Sequence, residues 1–111
     1  MNEDEIGKLV IDASMRVHSA LGAGLLETIY ETCLAHELEK QGLTVKKQAA
    51  LPIVYDDLRV DNAFRIDLLV DDKVVVELKA IEALAPIHTA QVISYLKTTG
   101  CQLGLLINFN T

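Results

Sequence analysis

Two carboxylates and an ammonium group fall close together in the second half of the chain, at Asp67, Glu77 and Lys79. Whether they meet depends on strand register, and the hydrophobic pattern selects one. Residues 59–70 and 73–80 both read as strands, joined by a tight loop around Asp71-Asp72. With Asp67 opposite Glu77, the residues Phe64, Ile66, Leu68 and Val70 stand against Ala80, Leu78, Val76 and Val74. One face of the hairpin is then wholly apolar. The other collects Arg65, Asp67, Leu69, Val75, Glu77 and Lys79. A slip of one residue would move charged side chains onto the apolar face. This register requires an odd-length loop, Asp71-Asp72-Lys73, or a bulge.

Opposed residues in such a ladder have Cβ atoms only ~4.5–5.5 Å apart. Two carboxylates at that distance repel each other unless a cation lies between them. Mg²⁺ takes oxygen ligands and keeps several waters, so two carboxylates and a backbone carbonyl, here that of Leu78, make an ordinary site for it, with Mn²⁺ as an alternative. Lys79 lies on the same face. It can hold a water or hydroxide near the metal and offset charge that develops at a reacting phosphorus. The competing reading is a solvated sheet face on which Asp67 pairs with Arg65 or Lys79. Leu69 and Val75 on that face argue for partial cover, and covered charges usually serve chemistry or metal.

These residues need elements to hold them. Ile6, Leu9, Val10, Ala13, Val17, Ala20 and Leu21 recur at helical spacing, so residues 4–21 are read as a helix stopped by Gly22. A second helix spans residues 26–41, with Ile29, Tyr30, Cys33, Leu34 and Leu38 as its buried stripe and Gly42 as its stop. Residues 44–55 form a strand, or two interrupted at Pro52, before an Asp56-Asp57 turn. Pro86 opens a third helix reaching Lys97, with Gly100 beyond it. Residues 103–109 are so continuously apolar that a strand buried on both faces is expected. The order α-α-β-β-β-α-β implies an α/β fold, a mixed central sheet flanked by helices.

Length and composition set bounds. A chain of 111 residues is expected to form a single domain over 1–111, with one core. Half of its residues are hydrophobic, which excludes disorder. A mean hydropathy of +0.27 is high for so small a chain and leaves room for a homodimer. No apolar stretch is long enough to predict a membrane span, and the acidic start Met-Asn-Glu-Asp-Glu does not look like a targeting signal. Cys33 and Cys101 fit neither a disulfide framework nor a zinc spacing, which suits a reducing, cytoplasmic setting. The net charge of −6 counts against tight nonspecific binding of nucleic acid. It does not exclude a nuclease, because carboxylates at a metal site are offset by the metal.

The stretches Ile66-Asp67-Leu68-Leu69-Val70 and Val76-Glu77-Leu78-Lys79-Ala80 resemble the core motif of the PD-(D/E)XK nucleases, with Ile66 where that motif has proline. Gly24-Leu25-Leu26-Glu27-Thr28-Ile29-Tyr30 resembles the motif of the small bacterial GxxExxY proteins, as does the closing segment from Gly104 to Asn110. The segment from His88 through Gln91 to Tyr95 is similar to the Gln-x-x-x-Tyr helix that follows the core in many of these nucleases. The resemblance implies a restriction-endonuclease-like core and Mg²⁺-dependent hydrolysis of DNA or RNA phosphodiesters. In that reading Asp67, Glu77 and Glu27 hold metal, and Lys79 and Gln91 complete the catalytic set. Tyr95, Tyr30 and His88 would contact substrate. The alternative is a noncatalytic binding or assembly module that keeps the fold.

Overall fold

A computed structural model of the chain describes residues 1–110. Its elements follow the expected order: α1 (Glu3–Leu21), α2 (Glu27–Lys40), β1 (Val45–Tyr55), β2 (Leu58–Val70), β3 (Val74–Lys79), α3 (Pro86–Thr99) and β4 (Leu103–Asn108). The strands form one mixed sheet in the order β1-β2-β3-β4. The first two pairings are antiparallel, and β3 pairs with β4 in parallel through the α3 crossover.

The local reasons are chemical. Asn2 and Glu5 start α1 with a reciprocal capping box, Asn2 Oδ1 accepting from the Glu5 N–H at 2.9 Å and Glu5 Oε1 from the Asn2 N–H at 3.3 Å. Gly22 ends it at φ 72°, its N–H donating to His18 O at 2.8 Å. Pro52 does not split β1. The register with β2 shifts between Leu51 and Ile53, so the proline sits where the ladder needs no donor, on an edge strand. The β2–β3 loop is Asp71-Asp72-Lys73, with Asp71 and Asp72 at φ 51° and 54°, and Val70 pairs with Val74 across it. Between Leu68 and Val76 the hairpin thus adopts the register that the hydrophobic pattern selects, and the ladder ends there, before Asp67 and Glu77.

Helices α1 and α2 cover one face of the sheet. Ile6, Val10, Ala13, Val17, Tyr30, Leu34 and Leu38 pack there with Leu68, Val70, Val74, Val76 and Leu78. Ile66, Leu69, Val75 and Tyr95 form a second cluster, on the α3 side. Several expectations need correction. Phe64 and Ile66 do not share a face with Leu68. They pack on the α3 side, as do Ala49 and Leu51 of β1, because the β1–β2 ladder loses one rung, between Gln48 and Asp67, and both strands change face there. Strand β4 is half-buried rather than buried on both faces, because it is an edge strand. In α2 the stripe is rotated, with Ile29 exposed and Glu31 buried. Ala20 and Leu21 are also exposed, as are Val54, Tyr55 and Leu58 at the far end of the β1–β2 hairpin. Among the described residues no helix is long and apolar enough to cross a membrane.

Tyr30 is the anchor of the α1–α2 turn. It is fully buried, stacks on Phe109 with ring centroids 4.5 Å apart, and uses its hydroxyl twice. The hydroxyl donates to Gly22 O at 2.6 Å and accepts from the Leu25 N–H at 3.1 Å. Removing it leaves two backbone groups short of a partner. Tyr30→Phe should therefore lower unfolding free energy by about 1–3 kcal/mol in a urea titration, with the fold retained.

Candidate active site

Asp67 and Glu77 meet where the β2–β3 ladder stops. Its last rung is Leu68 with Val76. One residue further, side chains replace backbone partners. The Leu78 N–H donates to Asp67 Oδ2 at 2.8 Å, and the Asp67 N–H to Glu77 Oε1 at 3.5 Å. The long second contact is the weaker of the two. The two carboxylates thus lie together at a point where the strands part. Lys79 Nζ is 3.6 Å from Glu77 Oε2, with both side chains largely covered.

Glu77 is 4% exposed, and this decides its protonation. Burial first, and then the charge of Asp67, raise its pKa to about 7, an effect that Lys79 only partly opposes. Tyr95, buried on α3, has its hydroxyl pushed up by burial and then by Glu77 and Asp67, so it lies within the field of the pair. The pair is therefore short of positive charge.

Two residues that the sequence reading missed belong here. Glu31, on α2, is buried. Burial raises its pKa and Asp67 adds to the rise, while a hydrogen bond from Gln48 opposes it. The Gln48 Nε2 donates to Glu31 Oε1 and Oε2 at 3.2 and 3.0 Å and to Asp67 Oδ1 at 3.1 Å. Gln48 also has φ 51°, a left-handed conformation that costs a residue with a Cβ roughly 1–2 kcal/mol. The other non-glycine residues with positive φ among the described residues are Asp or Asn, which tolerate it. Glu31 had a sequence signal, since Glu31, Leu34, Ala35 and Leu38 recur at the spacing of one helix face. Gln48 had none.

The remaining candidates are distributed as follows. Glu27 is exposed, and its Oε2 accepts from the Ala80 N–H at 3.0 Å, which ties the start of α2 to the end of β3. Among the described residues no group of three or more His, Cys, Asp or Glu is arranged to hold a metal ion. Gln91 lines a cavity of about 420 Å³ between β2 and α3 together with Phe64, Arg65, Ser94 and Tyr95. Its Oε1 is buried without a hydrogen-bond partner among the described residues. Tyr30 is committed to the Gly22–Leu25 turn. His88 accepts from the Ala85 N–H through Nδ1 at 2.9 Å and so caps α3.

The residues fit a hard dication. All the side-chain donors of the pair are oxygens, and burial beside Asp67 makes ionised Glu77 costly without added positive charge. The cost has a pH signature. Because the folded state holds the Glu77 proton more tightly than the unfolded chain does, stability should fall as pH rises from the ordinary glutamate range through about 7. Glu77→Gln cannot lose that proton. In chelator-treated buffer it should match the wild type at about pH 4 and exceed it at about pH 8, measured as urea midpoints. Parallel pH profiles for the two proteins would show that Glu77 is not strained.

Searches of curated proteins and of solved structures give no match. A family model described as the PD-(D/E)XK nuclease superfamily matches residues 4–111, a span that takes in all of α1 but its first residue, every later element and every residue of the site. The chain belongs to the PD-(D/E)XK nuclease superfamily.

Proposed function

We propose that the chain is a divalent-metal-dependent nuclease that hydrolyses phosphodiester bonds, and that it belongs to the GxxExxY group of its superfamily. The observation that carries this reading is the convergence of Asp67, Glu77 and Lys79 at the opening of the β2–β3 ladder. Asp67 and Glu77, with the Leu78 carbonyl, would hold Mg²⁺ or Mn²⁺. When bound, the metal supplies a Lewis acid for the phosphoryl oxygens and lowers the pKa of a coordinated water.

The chain's own groups do the rest. Glu77 would help hold the metal, and its Oε2 lies 3.6 Å from Lys79 Nζ. Lys79 orients the attacking water through its ammonium and stabilises charge on the phosphoryl oxygens as it develops. Tyr95, whose hydroxyl feels the charges of Glu77 and Asp67, and Gln91, one helical turn before it on α3, line the β2–α3 cavity and would meet the nucleic-acid backbone. Glu27 holds the α2 N-terminus against β3 and so fixes the strand end that carries Lys79. The net charge of −6 favours a substrate held locally at the site over a duplex gripped along its length.

The test is cleavage of single- and double-stranded DNA and RNA with Mg²⁺ or Mn²⁺. The wild type should cleave at least one of them, chelation should abolish cleavage, and Asp67→Ala should lose it by 100-fold or more, on the order expected for removal of a charged group from the reaction centre. Lys79→Ala should lose cleavage while still binding metal, because its role is in the transition state. A wild type that binds nucleic acid and cleaves none of these substrates would favour the noncatalytic module instead.

A further inference from the structure

Gln48 is an exposed residue on an edge strand, in a conformation that suits glycine, at a rung where β1 and β2 fail to pair. Residues on either side keep a single register, Lys47 with Leu68 and Ala49 with Ile66, so the distortion turns the faces of both strands without changing their pairing. It also brings the side-chain amide between two acids. One nitrogen reaches both oxygens of Glu31 on α2 and Oδ1 of Asp67 on β2. The other oxygen of Asp67 takes the Leu78 N–H. Asp67 is thereby held from both sides, by a side chain of β1 and the backbone of β3.

We propose that Gln48 is a positioning residue, a neutral donor that fixes the Asp67 carboxylate in its orientation toward Glu77 and links it to the buried Glu31. The chemistry requires this residue type. A carboxylate at 48 would have no proton to share with Glu31 or Asp67 at neutral pH. A lysine would bring a charge able to compete with a metal for Asp67. An amide satisfies both acids and leaves the charge of the pair unchanged. The consequence for metal binding rests on the reading of Asp67 as a metal-holding group; the clamp on Asp67 does not.

Two variants separate the donor from the backbone. Gly at 48 adopts φ 51° freely but has no amide; Glu keeps the bulk but cannot donate. If Gln48 served only the backbone, Gln48→Gly would equal the wild type. If it served only by bulk, Gln48→Glu would. The first readout is hydrogen exchange of the Leu78 amide without metal, because that N–H bonds to Asp67. Both variants should exchange at Leu78 at least about tenfold faster while the Val75 and Val76 amides stay protected. The second readout is calorimetric titration with Mn²⁺ alone, where Gln48→Gly should bind about 10–100-fold more weakly. Wild-type protection at Leu78 in either variant would overturn the proposal. So would unchanged Mn²⁺ affinity in Gln48→Gly. A wild type that binds no Mn²⁺ would instead overturn the metal reading, leaving the Leu78 exchange to judge the clamp.

Discussion

The site depends on one substitution in the hydrogen-bond ladder. At Leu78 a backbone N–H finds the carboxylate of Asp67 where an antiparallel strand would offer a carbonyl. A backbone donor buried in a sheet must be satisfied, so this bond both ends the β2–β3 pairing and fixes Asp67. Glu77 enters the gap from the other strand, with Lys79 behind it. The geometry that brings the two carboxylates together is therefore the geometry that stops the strands from continuing past them.

Crowding two acids at a covered point is destabilising, and the surrounding elements offset it. The paired apolar residues Leu68–Val76 and Val70–Val74 hold the hairpin closed up to the site. The buried Tyr30 locks the α1–α2 turn, from which Glu27 reaches the end of β3. Glu31 and Gln48 extend the polar network beneath the pair, and a satisfied network of this kind rigidifies what it surrounds. The electrostatic cost falls mainly on Glu77, the most deeply buried acid of the group. A divalent cation would relieve it directly.

The turn of the hairpin was legible in the sequence because side-chain period two and a covered face leave one register for residues 68–76, and that register dictated a three-residue loop. The element order was legible from helical spacing and from the stops at Gly22 and Gly100. Strand β4 misled because a continuous apolar run does not distinguish a central strand from an edge strand lying between α1 and α3. Phe64 and Ile66 changed face for a reason no pattern carries, the left-handed backbone at Gln48. Glu31 could have been found, since it lies on the stripe of Leu34 and Leu38, but a glutamate on an apolar stripe is easily assigned to solvent. Tyr30 and His88, beside the motifs, both do structural work, one in the core and one at a helix cap.

The central claim is that Asp67 and Glu77 form a divalent-cation site, and thermal melts with and without metal test it most directly. A cation that binds only the folded chain stabilises it by about 2.7 kcal/mol at a hundredfold excess over its dissociation constant. The wild type should therefore melt higher in Mg²⁺ or Mn²⁺, and scarcely higher in a monovalent salt of equal ionic strength. Glu77→Gln should lose most of that rise. The same metal-dependent rise in the wild type and in Glu77→Gln would contradict the claim.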